Sequence, residues 1–146
     1  MADVTVTSRA NLQNEVRYGD GDGARSFITD EPVSIGGDGA GADPYTLLLA
    51  ALGSCISMTL TLYARRKNWP LERVVVSLSQ RRIHAADCAE CETEPGGFVH
   101  RIERLVRIEG ALLSEEQHAR LQDIAHKCPL HKTLTSEIVI ADLQEG

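Results

Sequence analysis

Two cysteines in contrasting settings are the residues of this chain best suited to chemistry. Cys55 lies in the apolar run that follows Pro44, and Cys128 opens a Cys-Pro-Leu-His sequence 73 residues further on. A thiol buried among apolar side chains has a raised pKa and is usually inert, so Cys55 alone fits a small core residue. A second thiol at the end of a helix can convert a sulfenic acid into a disulfide, which peroxide chemistry requires. The pair therefore allows two interpretations, redox chemistry and core packing.

Cys88 and Cys91 form a second cluster, in a polar loop predicted from Asp87 to Gly97. The pair could supply half of a metal site or an auxiliary dithiol, or it could belong to an ordinary loop. His84 and His100 could complete a set of four zinc ligands, but the spacing is not that of a standard zinc finger. Acidic neighbours disfavour a reactive thiolate at these cysteines. We favour the ordinary loop and expect no metal and no cofactor.

The composition is typical of a soluble globular protein, which we predict to be a single domain over residues 1–146. The chain is 42% hydrophobic and 25% charged, with a net charge of −6. It lacks the basic footprint that nucleic-acid binding needs and the basic and apolar start of a signal peptide. The longest apolar run, 47–62, is short for a membrane span. We predict a cytoplasmic protein with no membrane or nucleic-acid partner, whose four cysteines rest as thiols.

The elements that must position these residues follow the order strands, long helix, strands, helix, strand. Alternating polar and apolar residues predict strands at 4–7, 15–18, 25–29, 73–80 (extending as far as 84), 98–109 and 136–143. A capping box at Ser114–Gln117 opens the second helix, which Pro129 ends. A glycine-rich stretch at 36–42 predicts a flexible loop. Because the chain shows no repeated strand–helix–strand unit, we assign it to the α+β class.

The long helix is the central element of this prediction. Asp43 suits the position that caps a helix, Pro44 suits its first turn, and the basic residues 65–67 suit its end. Its residues are apolar on nearly every side, which predicts a central, buried helix. One small sheet covers such a helix poorly, so either the sheet wraps it closely or a second subunit covers it. We favour a homodimer.

The helix sequence also carries a family resemblance. The runs 43–60 and 63–72 resemble the central helix of the OsmC/Ohr family (osmotically inducible protein C and organic hydroperoxide resistance proteins). The spacing of eleven residues from Pro44 to Cys55 and the later Cys128-Pro are its most specific parts. The chain is most similar to a branch with Asp-Cys-Ala-Glu-Cys-Glu at 87–92. The resemblance covers essentially the whole chain and implies an intertwined OsmC-like α+β homodimer with two active sites at the subunit interface.

The resemblance further implies a thiol-dependent peroxidase that prefers organic hydroperoxides. In that mechanism Cys55 attacks the distal peroxide oxygen, releases an alcohol and becomes a sulfenic acid. Cys128 then condenses with it to a disulfide, which an external dithiol reduces. The implied partners are therefore an organic hydroperoxide, a dithiol reductant and a second copy of the chain.

The means of activating Cys55 departs from the family pattern. Cys55 is too far from the helix start to benefit from the helix dipole, so a nearby guanidinium is needed to lower its pKa. Relatives hold an arginine of the N-terminal strands with a glutamate directly after the helix-opening proline, but Tyr45 occupies that position here. Arg25 is the favoured activating residue and Arg17 is the alternative.

A different class of function stays open beside the enzyme. The chain could be a non-catalytic OsmC-fold dimer whose interface binds a small apolar ligand or whose Cys88/Cys91 loop binds zinc. His131 is expected to be a surface or packing residue. The feature that separates the two functions is a cation in contact with Cys55, because a peroxidatic cysteine must react as a thiolate.

Overall fold

The computed structural model describes residues 3–91 and 96–145, which contain five strands and three α-helices. The strands are β1 (Val4–Ser8), β2 (Asn14–Tyr18), β3 (Arg25–Thr29), β4 (Arg73–His84) and β5 (Phe98–Glu109). The helices are α1 (Pro44–Lys67), α2 (Glu115–Ile124) and α3 (Pro129–Leu134). This content confirms the predicted α+β class. The chain divides into two compact units, 1–48 and 49–146, and the single-domain assignment stays a prediction.

The N-terminal unit contains an antiparallel sheet in the order β1–β2–β3. Val16 of β2 lies opposite Val6 on one side and Phe27 on the other, and it is buried. Gly19 begins the connection to β3 with a φ of 81°, a left-handed conformation that favours glycine. All three strands predicted for this region are therefore present.

A buried carboxylate organises the segment that we predicted to be a flexible loop. Asp30 follows β3, and its side chain accepts hydrogen bonds from the backbone N–H groups of Glu31, Asp38 and Ala40 at 2.8, 3.1 and 3.0 Å. The loop packs so closely that a Cβ atom added at Gly37 would lie 1.9 Å from the Glu31 carbonyl oxygen. The glycines here permit close backbone approach around Asp30.

The hydrogen bonds to Asp30 predict a specific acid sensitivity. The Ala40 N–H contributes most to holding the pKa of Asp30 below its ordinary value, against the opposing effect of burial. A lowered folded-state pKa stabilises the fold above the ordinary pKa, and this stability is lost as the pH falls through the lowered value. We expect Asp30→Asn to flatten the fall in the free energy of unfolding below about pH 4, measured by urea titration at each pH. Asp22→Asn, at an exposed site, is the control, and equal pH profiles for both variants would contradict the prediction.

The C-terminal unit is built on one long antiparallel hairpin. β4 and β5 pair along their full length, from Arg73 opposite Glu109 to His84 opposite Phe98. Gly53 of α1 lies against this hairpin, since a Cβ atom added there would be 2.9 Å from a methyl group of Leu78. The buried core joins α1, β5, α2 and the start of α3: Leu52, Ile56, Leu60, Ala64, Ile108, Leu121, Ile124, Ala125 and Cys128.

Helix α1 is buried along one stripe only within the single chain. Ile56 and Leu60 are fully buried, whereas Met58 and Leu62 on other sides of the helix are 64% and 50% exposed. The hairpin therefore does not wrap the helix. With 24 residues, α1 is long and apolar enough to cross a membrane, judged by length and composition alone. The core helix of a soluble protein meets the same two criteria. Helix α1 is longer than the apolar run on which we based the prediction of no membrane span.

The C-terminal helices follow their sequence signals closely. The predicted capping box is present, because the Ser114 hydroxyl accepts from the Gln117 N–H and the Gln117 side chain accepts from the Ser114 N–H. Pro129 occupies the first turn of α3, and Cys128 is its N-cap residue. These helix starts are local features, which explains why the sequence predicts them well.

The strand predicted at 136–143 is wrong. Residues 137–145 have no regular secondary structure, and Ile138, Val139, Ile140 and Leu143 are between 55% and 94% exposed. A strand forms only when its backbone N–H and C=O groups pair with a neighbouring strand. No strand within residues 3–91 and 96–145 supplies that pairing, so the alternating pattern is present without its partner.

Candidate active site

The structure brings Cys55 and Cys128 together. Cys55 lies half-buried near the middle of α1 and packs against the core, and Cys128 is fully buried at the start of α3. Both are free thiols, they lie in the same core cluster, and Cys55 is near enough to raise the pKa of Cys128. Residues 73 positions apart in sequence thus form one dithiol site.

Two core helices bring the thiols together. Leu52, Ile56 and Leu60 direct one side of α1 into the core, and Cys55 lies beside them on the same part of the helix surface. Helix α2 packs into the same core through Leu121, and the chain then turns so that Cys128 reaches α1. The position of each thiol therefore depends on apolar packing.

The surroundings of Cys128 keep it protonated. Burial is the largest effect and raises the pKa of the Cys128 thiol. The N–H of His131, 3.2 Å from the Cys128 Sγ atom, acts in the opposite direction. The neighbouring Cys55 side chain raises the Cys128 pKa further. Cys128 is therefore a neutral thiol at physiological pH, with little nucleophilic character until its proton is removed.

The candidate activating arginines lie on the N-terminal sheet. Arg25 begins β3, is exposed, and donates a hydrogen bond from Nη1 to the Ala24 carbonyl oxygen at 3.2 Å. Arg17 is also exposed and lies opposite Ser26 in the sheet register. The choice of Arg25 over Arg17 as the residue that activates Cys55 stays a prediction.

The second cysteine cluster differs from our expectation of four free thiols. Cys88 and Cys91 are joined by a disulfide, with their Cα atoms 5.4 Å apart. The three-residue separation brings the two sulfur atoms within bonding range. In this form neither sulfur is a thiolate that could bind zinc. Across 3–91 and 96–145, no group of three or more histidine, cysteine or acidic residues could hold a metal ion.

The two histidines considered as zinc ligands have other contacts. The ring of His84 packs against Phe98, with 4.4 Å between ring centroids. His100 Nδ1 lies 2.8 Å from the Gln80 side-chain nitrogen. Both contacts cross the β4–β5 hairpin, so these side chains belong to its cross-strand packing.

A cavity of about 240 Å³ lies next to the dithiol and was not predicted from the sequence. Leu52, one helical turn before Cys55, forms part of its wall, and so does His131, whose N–H binds the Cys128 sulfur. Arg104 of β5 also lines it. The alternation along β5 shows that Arg104 is on one side of a strand, but it does not show what that side faces.

Comparison with known proteins identifies the family. Residues 37–141 match the family described as OsmC-like protein, which is most of the chain and includes both Cys55 and Cys128. The chain belongs to the OsmC-like family. No curated protein gives a significant match.

Solved structures place this OsmC-like chain in the same fold. A Psychrobacter arcticus 273-4 protein, named for an osmotic stress induced and detoxification response, has a TM-score of 0.69 at 20% identity, covering 91% of this chain and 88% of that one. An OsmC like protein from Mycoplasma pneumoniae has a TM-score of 0.66 at 20% identity, covering 90% and 85%. An organic hydroperoxide resistance protein from Elizabethkingia anophelis has a TM-score of 0.62 at 22% identity, covering 90% and 86%. At these identities the likeness establishes the OsmC-like fold.

Proposed function

We propose that this OsmC-like protein is a thiol-dependent peroxidase that reduces organic hydroperoxides. The observation that carries the proposal is the closeness of the free thiols of Cys55 and Cys128, which lie in the same core cluster. Two thiols that lie close together can form a disulfide without a large movement of the backbone. Solved structures of the same fold include proteins named for organic hydroperoxide resistance, which supports the same substrate class.

The proposed reduction of the hydroperoxide has three steps. The Cys55 thiolate attacks the distal oxygen of the hydroperoxide, the O–O bond breaks, and the departing alkoxide takes up a proton to leave as an alcohol. Cys128 then condenses with the Cys55 sulfenic acid, which forms the disulfide and releases water. An external dithiol reduces this disulfide by thiol exchange and is itself oxidised.

The protonation of the pair fits an unequal division of roles. Because the pKa of Cys128 is raised, its proton stays in place while Cys55 acts as the nucleophile. We assign Cys55 as the peroxidatic residue, Cys128 as the resolving residue and Arg25 as the cation that favours the Cys55 thiolate. An arginine near a thiol lowers its pKa by favouring the charged form.

We also propose that the active form is a cytoplasmic homodimer. The exposed apolar side of α1, which includes Met58 and Leu62, would be covered by a second copy. The unpaired residues 137–143 would gain strand partners there. The reducing cytoplasm would supply the dithiol that each turnover consumes. The net charge of −6 argues against nucleic acid as a partner, because nucleic-acid binding needs a basic surface.

The test is to treat the protein, with Cys55 and Cys128 reduced, with one equivalent of cumene hydroperoxide and to map its disulfides by mass spectrometry. We expect rapid, stoichiometric formation of a Cys55–Cys128 disulfide with release of one equivalent of alcohol. Cumene hydroperoxide left intact, with Cys55 and Cys128 still reduced, would overturn the peroxidase proposal.

A non-catalytic dimer that binds a small apolar ligand is the second candidate. The apolar part of the cavity wall, which includes Leu52 and Leu134, favours it. The same experiment separates the two functions, because a binding protein would leave cumene hydroperoxide intact.

A further inference from the structure

The cavity beside the dithiol combines apolar walls with positive charge. Leu52, Ile102 and Leu134 supply the apolar surface, and Arg104 supplies a permanent charge. No carboxylate is among the described residues that line it. At about 240 Å³ it is smaller than a typical pocket for a drug-sized ligand. The walls therefore suit a small molecule with an apolar body and one negative group.

Arg104 has an unused hydrogen-bond donor in this setting. Its Nη2 atom lies 2.6 Å from His126 Nδ1. Its Nη1 atom is buried and has no hydrogen-bond partner among residues 3–91 and 96–145, and within the same residues Arg104 makes no ion pair. Buried polar groups are nearly always hydrogen-bonded, and a charged donor needs a partner most of all. No carboxylate among the described residues balances the Arg104 charge, and an anion bound in the cavity that Arg104 lines would balance it.

The positive charge of Arg104 also affects His131, the neighbouring histidine in the cavity wall. Burial lowers the pKa of His131, and the nearby charge of Arg104 lowers it further. The His131 ring is thus neutral at physiological pH and can donate one hydrogen bond from a ring N–H. Thr135, one helical turn further on, adds a hydroxyl to the polar part of the wall.

We propose that this cavity binds a small organic carboxylate, with its charged group at Arg104 and its hydrocarbon part against Leu52, Ile102 and Leu134. A guanidinium group offers parallel N–H donors that match the two oxygens of a carboxylate. One arginine with apolar surroundings suits a monoanion better than a phosphate dianion, which recruits several cationic groups. The carboxylate would occupy the cavity beside the dithiol, and its binding requires no reaction at Cys55 or Cys128.

The proposal is tested by calorimetric titration of the reduced full chain with hexanoate, hexanol and inorganic phosphate. We expect one hexanoate to bind per chain, and hexanol, which has the same hydrocarbon length without the charge, to bind at least about tenfold more weakly. Equal affinity for hexanoate and hexanol, or tighter binding of phosphate, would overturn the carboxylate site. These measurements on the unmodified chain do not depend on a variant that folds.

Variants test whether Arg104 is the residue that binds the carboxylate group. Arg104→Gln should weaken hexanoate binding about tenfold or more, and Arg104→Lys should retain part of the affinity. Arg107→Gln is the matched control, since Arg107 is on the same strand and exposed beside Glu109. Unchanged hexanoate affinity in a folded Arg104→Gln protein, or an equal loss in Arg107→Gln, would overturn the assignment.

Discussion

Replacing Cys55 with serine is expected to lower the rate of cumene hydroperoxide reduction by at least about a thousandfold, because the variant lacks the sulfur that we propose attacks the peroxide. Replacing Cys128 with serine is expected to leave the first step intact, since the attack uses Cys55 alone. The Cys128→Ser protein should therefore release one equivalent of alcohol per chain and then stop with a sulfenic acid at Cys55. Alcohol release in a rapid-quench experiment and trapping of the sulfenic acid with dimedone measure the two results.

A double replacement of Cys88 and Cys91 by serine provides the control. These cysteines are bonded to each other, so the variant should keep the full cycle of the dithiol site. Equal losses of alcohol release in the Cys55→Ser and Cys128→Ser proteins would contradict the division of roles. Such a result would indicate that the two thiols act only as a pair.

The second large effect concerns the helix that holds Cys55 in place. Leu60 is fully buried in the core between α1 and the hairpin. We expect Leu60→Ala to lower the free energy of unfolding by about 2–5 kcal/mol, through lost burial and the cavity left behind. Urea denaturation followed by circular dichroism measures this loss.

Leu60→Met is the matched control for this change. It preserves most of the side-chain volume, so its cost should stay below about 1.5 kcal/mol. A cost for Leu60→Ala within the error of the control would contradict the assignment of Leu60 to a tightly packed core. Because Cys55 depends on the same packing, Leu60→Ala should also slow formation of the Cys55–Cys128 disulfide.

The parts of the fold that the sequence predicts best carry local signals. The start of α1 at Pro44 and the capping box of α2 depend on residues within one turn of each other. The strand predicted at 136–143 failed because alternation records only which side chains would share a face. Whether a strand forms depends on a partner edge, which is a property of the assembled chain. The loop around Asp30 was missed for a related reason, since its N–H donors come from as far away as Ala40.

The candidate site shows the same division. Cys55 and Cys128 stand out through their residue type and through the family resemblance. Arg104 does not, because β5 contains several arginines of similar sequence context. Only the folded chain distinguishes Arg104, which has no ion pair within residues 3–91 and 96–145, from the arginines paired with Glu103 or Glu109. The Cys88–Cys91 spacing is compatible with a disulfide, a dithiol or a metal site, and its neighbours in sequence do not decide between them.

The sulfur of Cys128 also caps helix α3, because it accepts a hydrogen bond from the His131 N–H at the start of that helix. A thiolate accepts such a hydrogen bond more strongly than a thiol does. The strength of the bond changes again when the sulfur is part of a disulfide. Each change of oxidation state at Cys128 therefore alters the first turn of the helix that it caps. The His131 amide is consequently a reporter that the chain carries in its own backbone. Its chemical shift and its hydrogen-exchange rate would follow the proposed catalytic cycle without a label on either cysteine.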